Sequence, residues 1–200
     1  MEVEYLIIHH TAVSREKNKA QYEAVRNYHI SKNWGDIGYN FFIEPDGLLI
    51  AGREENVTGA HCKEERMNYK SLGICLTGNF DIEYPTQEQL DTLKTIITHL
   101  RIKYNILREN VKFHKDYASY KSCPGLNFSL EMLNKCMPLL ELKRDIKGGF
   151  WFVKKDGSGK QKISNDETGV SGLLTVISRE FGVDTMGEKY FDKLDDKKYF

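Results

Sequence analysis

The stretch VEYLIIHH, residues 3–10, decides how this chain is read. Its apolar run is rich in β-forming residues and too short for a helix, which predicts a buried strand. It ends on two histidines, His9 and His10. Side chains along a strand alternate between its faces, so only one of the two can point into a site at the strand's end. The residues alone leave open which one.

Moving outward, residues 17–33 fit a helix, with Tyr22, Val25, Tyr28 or His29, and Lys32 near helical spacing. NWGDIG (33–38) is a loop rich in breakers. YNFFIEPDGLLIAGR (39–53) reads as a hairpin around Pro45-Asp46-Gly47, and SLGICLTG (71–78) as a further buried strand. PTQEQLDTLKTIITHLRIKYN (85–105) is the clearest helix. Thr86 and Gln89 fit a capping box, and Leu90, Leu93, Ile97, Leu100 and Tyr104 form one apolar stripe. VKFH (111–114) is a short strand, and a last helix after Pro124-Gly125 should turn Leu130, Leu133, Met137 and Leu140 inward. Strands interleaved with helices predict an α/β fold with a central mixed β-sheet flanked by helices. The main domain is expected at 1–144. Residues 145–200 then make a small α+β extension, with a hairpin from FWFVKK, DGSG and KQKIS and a short helix at SGLLTVISREFG (171–182).

The 200 residues carry no net charge at neutral pH, with 40% hydrophobic and 29% charged residues, the balance of a globular protein. A neutral chain disfavours nucleic acid or an anionic membrane as its main partner. The opening residues hold no basic stretch, and no segment reads as a bilayer span, so the expectation is a chain made in the cytoplasm without a signal peptide. Cys62, Cys75, Cys123 and Cys136 form no CxxC pair and read as reduced thiols.

The chemistry lies in His9-His10 and in HKDYASYKSCPG, residues 114–125. Two imidazoles and a thiolate suit zinc, which in catalytic sites takes three protein ligands and keeps a fourth position for water. A second reading is a metal-free pair, with Cys123 as nucleophile beside His114 and its pKa lowered by Lys121.

Several separated motifs, in order, carry a resemblance. They are IIHHTA (7–12), NWGDIGYNFFIEPDGLLIAGR (33–53), NVTGAH (56–61), KSLGICLTGNF (70–80), PTQEQL (85–90) and His114 through Lys121-Ser122-Cys123-Pro124-Gly125. Together they resemble the type-2 zinc-dependent N-acetylmuramoyl-L-alanine amidases, whose fold is shared by peptidoglycan recognition proteins and phage lytic amidases. The resemblance covers about residues 3–140. It implies His9, His114 and Cys123 as zinc ligands, His10 as structural, and Tyr39 and Lys121 as catalytic residues beside a zinc-activated water. His61 falls where that family lines its peptidoglycan groove, with a satisfied loop histidine as the alternative. Read on their own, Trp34 in a breaker-rich loop suits stacking on sugar or anchoring the core, and Asn79 after a strand suits lining the groove or forming a turn. Cys123 argues against the cytoplasmic recycling branch, in which the third ligand is an aspartate. The implied activity is hydrolysis of the amide between N-acetylmuramic acid and L-alanine, in a phage-type endolysin that reaches the cell wall after release. The rival is a recognition module that binds muropeptide without cutting it, although loss of the cysteine ligand marks such members and Cys123 is present. The tail from residue 145 is expected to help target the wall or to pack on the main domain.

Overall fold

The expected first strand forms β1, Tyr5–His10, in a computed structural model of the chain. The structure describes residues 1–15, 20–104, 106–137, 140–144, 150–154 and 160–163. Four further strands, β2 (Phe41–Ile43), β3 (Leu49–Ala51), β4 (Ser71–Leu76) and β5 (Val111–Phe113), join β1 in a five-stranded sheet of order β3-β2-β4-β1-β5. β1 runs parallel to both β4 and β5, β2 runs parallel to β4, and the Pro45-Asp46-Gly47 turn makes β2 and β3 an antiparallel hairpin. The sheet is mixed, as the alternation of strands and helices predicts, and β1 lies between two parallel neighbours, so both its faces are covered.

Those two faces differ. Leu6 and Ile8 of β1 stand level with Leu72 and Ile74 of β4 and are fully buried. They pack under Leu93, Ile97 and Leu100 of helix α2, Gln87–Tyr104, in the largest apolar cluster of the described residues. The other face carries Ile7 and His9 of β1, with Gly73 and Cys75 opposite them on β4. Two smaller apolar clusters lie on it, Ile7 with Cys62 and Met67, and Cys75 with Ile37 and Phe42. One face of the sheet is core and the other is free to carry polar chemistry.

Helix α2 begins at the expected capping box. The Thr86 N–H donates to Gln89 Oε1 and the Gln89 N–H donates to Thr86 Oγ1, each at 3.1 Å. Helix α1, Tyr22–Ser31, has no side-chain cap of its own. The buried Glu44 supplies one from across the fold, Oε1 accepting from the backbone N–H groups of Gln21 and Tyr22 at 2.8 Å each. A carboxylate there satisfies orphan donors and complements the positive end of the helix dipole. Of the two candidates for the inward face of α1, His29 is buried and Tyr28 is exposed.

The last helix departs from expectation. α3 spans only Leu130–Lys135, capped by the Ser129 side chain accepting from Met132 N. Leu133 and Met137 turn inward as predicted, but Leu130 is 62% exposed, because the cap at Ser129 makes it the first helical residue on the solvent side. Leu140 is not helical. It opens β6, Leu140–Arg144, which pairs with β7 (Phe150–Lys154), itself paired with β8 (Lys160–Ile163), in an antiparallel sheet. The β7–β8 hairpin was legible from its turn, whereas β6 was not. The chain divides into two compact units, Met1–Met137 and Pro138–Phe200. The expected helix at 171–182 lies outside the described residues.

Replacing Thr86 by Ala removes one arm of the α2 capping box and leaves the Gln89 N–H short of its partner. Stability should fall by about 1 kcal/mol, read as a lower urea midpoint at unchanged slope.

Candidate metal centre

Register brings the ligands together. β1 and β5 pair in parallel with Ile8 level with Phe113, so the next residues, His9 and His114, come side by side at the carboxyl ends of their strands. Their rings lie 4.6 Å apart. This is the edge of a parallel sheet where ligand sites commonly form. After His114 the chain folds into a short 3-10 turn, His114–Asp116, with Asp116 Oδ2 accepting from Phe113 N at 2.9 Å. The loop then returns, and Lys115 N donates to the Cys123 carbonyl at 2.8 Å, closing the loop at its base. Asp81 holds the far side, accepting from Ser122 Oγ at 2.7 Å and from Leu126 N at 3.0 Å. Gly125, at φ +113°, passes against the Phe80 backbone, where a Cβ would meet the Phe80 carbonyl carbon at 2.4 Å. These contacts explain the spacing in HKDYASYKSCPG, since the loop exists to return Cys123 to His114.

His9, His114 and Cys123 are all buried, and their ligand atoms lie within 4.8 Å of one another. His9 Nδ1 stands 3.7 Å from Cys123 Sγ. Tetrahedral zinc, with Zn–N near 2.0–2.1 Å and Zn–S near 2.3 Å, sets those atoms roughly 3.6 Å apart. The set therefore fits zinc in donor chemistry, burial and spacing. Alternation assigns the two histidines. His9 points to the site, while His10 turns to the core face, where its Nδ1 accepts from Phe80 N at 3.1 Å.

His9 is steadied by its other nitrogen. Nε2 lies 3.1 Å from His61 Nδ1, so a metal on Nδ1 makes Nε2–H a donor to His61. His61 is buried beneath the site, and room for it comes from Gly73, where a Cβ would meet the imidazole at 2.6 Å. Around the cluster, the Tyr39 ring centroid is 5.1 Å from that of His9. Burial, with Cys75 and Cys123 close by, raises the Tyr39 pKa well above its usual value, so the hydroxyl stays protonated. Lys121 is exposed; burial lowers the titration of His9 and His114, and the nearby Lys121 ammonium adds to it. Burial raises the Cys123 thiol to about 11, against the pull of the His10 backbone and of Lys121. Without a metal the sulfur is a protonated, buried thiol, which is the wrong state for a free nucleophile.

The remaining sequence candidates are Trp34 and Asn79. Trp34 is 43% exposed and stacks on His29 at 4.5 Å between centroids. Asn79 forms a turn, its Oδ1 accepting from Asp81 N at 3.1 Å. Sequence reasoning missed Glu64. With Cys62 and His114 it forms a second group of ligand atoms within 4.8 Å. Tyr120 Oη already donates to Glu64 Oε1. Burial and Glu64 together push the Cys62 thiol up to about 12. Although burial opposes its ionisation, Tyr120, the Glu64 backbone, His114 and Lys121 hold the Glu64 carboxyl down to about 2.

The N-acetylmuramoyl-L-alanine amidase family profile matches residues 1–126. The chain belongs to this family. The phage T3 endolysin is 33% identical over 132 residues, which are 62% of this chain and 82% of that protein. Peptidoglycan-recognition protein SC2 of Drosophila melanogaster is 34% identical over 128 residues, 62% of this chain and 68% of that one. Among solved structures, the amidase LysC from Clostridium intestinale is 34% identical with a TM-score of 0.59, covering 67% of this chain and 84% of that one. These type-2 amidase relatives bear out the family and the α/β fold. No described helix is long and apolar enough to cross a membrane.

The buried imidazoles give this amidase fold a pH dependence. Burial lowers His10 to about 4, His61 to about 3, and, helped by Lys121, His114 to about 4. The unfolded chain binds these protons from about pH 6.5, so between about 6.5 and 4 the unfolded state holds more of them. Stability of the metal-free protein should therefore fall as pH falls through that window, by up to about 1.4 kcal/mol per pH unit for each histidine. Urea midpoints at a series of pH values check this, and a flat profile would contradict it.

Proposed function

We propose that this chain is a zinc-dependent peptidoglycan hydrolase that cleaves the amide between N-acetylmuramic acid and the L-alanine of the stem peptide. The observation that carries the reading is the buried His9–His114–Cys123 cluster, with its ligand atoms within 4.8 Å. Family membership supplies the bond class, and the phage endolysin relative supports a wall-lysing role exercised after release. Bound by these three residues, zinc would lower the pKa of a water to about 7 and polarise the scissile carbonyl.

The chain's own groups have distinct tasks. Lys121 offers an exposed cation to the oxyanion that develops as the amide carbonyl becomes tetrahedral. Tyr39, kept protonated beside His9, is a hydrogen-bond donor suited to orienting the attacking water or the oxyanion. His61 steadies His9 from below and is too deeply buried to be an open face for substrate. Trp34 offers an exposed ring face for a sugar, and Asn79 an amide beside the loop that bears Cys123. The second reading, a module that binds muropeptide without hydrolysis, draws on the likeness to peptidoglycan-recognition protein SC2.

Digestion of purified peptidoglycan, with new L-alanine amino termini as the signal, separates the two. Chelator should abolish release and zinc restore it. Cys123→Ser should lose both zinc and activity, while Lys121→Ala should keep zinc and lose about 10²–10³-fold in turnover. Turnover that persists in chelator would remove zinc from the reading. Bound zinc with no release would leave the recognition module.

A further inference from the structure

His114 presents a problem that the metal cluster alone does not solve. Its Nε2 is buried and no described group hydrogen-bonds it. An imidazole that binds a divalent ion through one nitrogen carries its proton on the other, and a buried N–H without an acceptor is costly. For His9 that second nitrogen meets His61. For His114, Nε2 faces Glu64 Oε2 at 3.7 Å, just beyond hydrogen-bond length.

Glu64 is held for this position. Its Oε1 accepts from the Tyr120 hydroxyl, which leaves Oε2 turned toward His114, with Cys62 Sγ 3.8 Å away. The segment that bears it is pinned on itself. The His61 and Cys62 N–H groups donate to Asn68 Oδ1 at 2.8 and 2.7 Å, and Asn68 N donates to the Cys62 carbonyl at 2.8 Å. The residues just after Glu64 adopt the left-handed region without being glycine, Glu65 at φ 49° and Arg66 at φ 59°. Backbone in that region persists where surrounding contacts over-determine it, and it concentrates at functional sites.

We propose that Glu64 is a positioning residue of the metal centre, its carboxylate taking the outward Nε2–H of His114 and thereby fixing that ligand's tautomer and tilt. The inference rests on the zinc reading above. It makes the two imidazole ligands equivalent in design, each oriented through its second nitrogen, His9 by a neutral ring and His114 by a carboxylate. A carboxylate behind a metal-bound imidazole also raises its basicity and strengthens its hold on the ion.

Zinc affinity of the full-length chain, measured by competition with a chromophoric chelator, tests this without reference to activity. Glu64→Gln keeps the shape and loses the charge, and should weaken zinc about 10–100-fold. With cobalt in place of zinc, the visible d–d absorption of Glu64→Gln should shift from that of the wild type, a change in the ligand field at the metal that a loss of fold stability alone would not produce. Tyr120→Phe frees the carboxylate and should weaken zinc in the same direction by less, so it carries the test if Glu64→Gln does not fold. Glu65→Gln and Cys62→Ser should bind zinc as the wild type does. Wild-type affinity in both Glu64→Gln and Tyr120→Phe would overturn the proposal while the zinc reading stands. A loss in Cys62→Ser as large as in Glu64→Gln would overturn it too, because Cys62 and Glu64 would then be ligands. A wild-type protein that takes up no zinc would sink the zinc reading itself.

Discussion

The site depends on one register, the parallel pairing that sets Ile8 of β1 level with Phe113 of β5. Because strand side chains alternate, this pairing sends His9 and His114 out on the same face, one step past the last paired residues. A slip by a single residue would send His9 into the core and bring His10 out. The register is secured by apolar burial rather than by the histidines. Leu6 and Ile8 are fully buried under α2 and have no stable alternative facing water. The metal chemistry thus rests on a hydrophobic decision made on the opposite side of the sheet.

Around that register, loops bring up what strands cannot. The segment from His114 to Gly125 leaves the sheet and is returned by Lys115 N on the Cys123 carbonyl, with Asp81 clamping Ser122 and Leu126. On the same face, Gly73 leaves an opening in β4 that His61 fills, beneath His9. The site is preorganised before any ion arrives. The three donor atoms already lie within 4.8 Å of one another, with His9 Nδ1 and Cys123 Sγ at 3.7 Å, and both free imidazole nitrogens point at identified neighbours.

Much of this was legible in the sequence because it depends on local pattern. The apolar run into His9-His10, the Pro45-Asp46-Gly47 turn and the Thr86–Gln89 box each state their structure in a few residues. The choice of His9 over His10 needed more than alternation, which says that they diverge but not which face holds the core. Glu64 was illegible for a different reason. Its neighbours His114 and Tyr120 are some fifty residues away in sequence, and it sits in KEER, which reads as a solvated charge run. From its place in GAH, His61 reads equally as a substrate contact or as a satisfied loop histidine. Its burial follows from the missing side chain of Gly73, ten-odd residues further on, and no periodicity reports that. Leu130 was misassigned because the apolar spacing was continued through a helix that starts only at Leu130, after its Ser129 cap, and stops after Lys135.

All of this chemistry requires that His9, His114 and Cys123 hold one zinc ion. A crystal of the zinc-loaded protein, with anomalous diffraction recorded on both sides of the zinc absorption edge, tests it most directly. The expected result is a single strong peak bonded to His9, His114 and the Cys123 sulfur, with metal–sulfur near 2.3 Å and metal–nitrogen near 2.0–2.1 Å. A peak bonded instead to the Cys62 sulfur and the Glu64 carboxylate, with the Cys123 sulfur unbound, would contradict it.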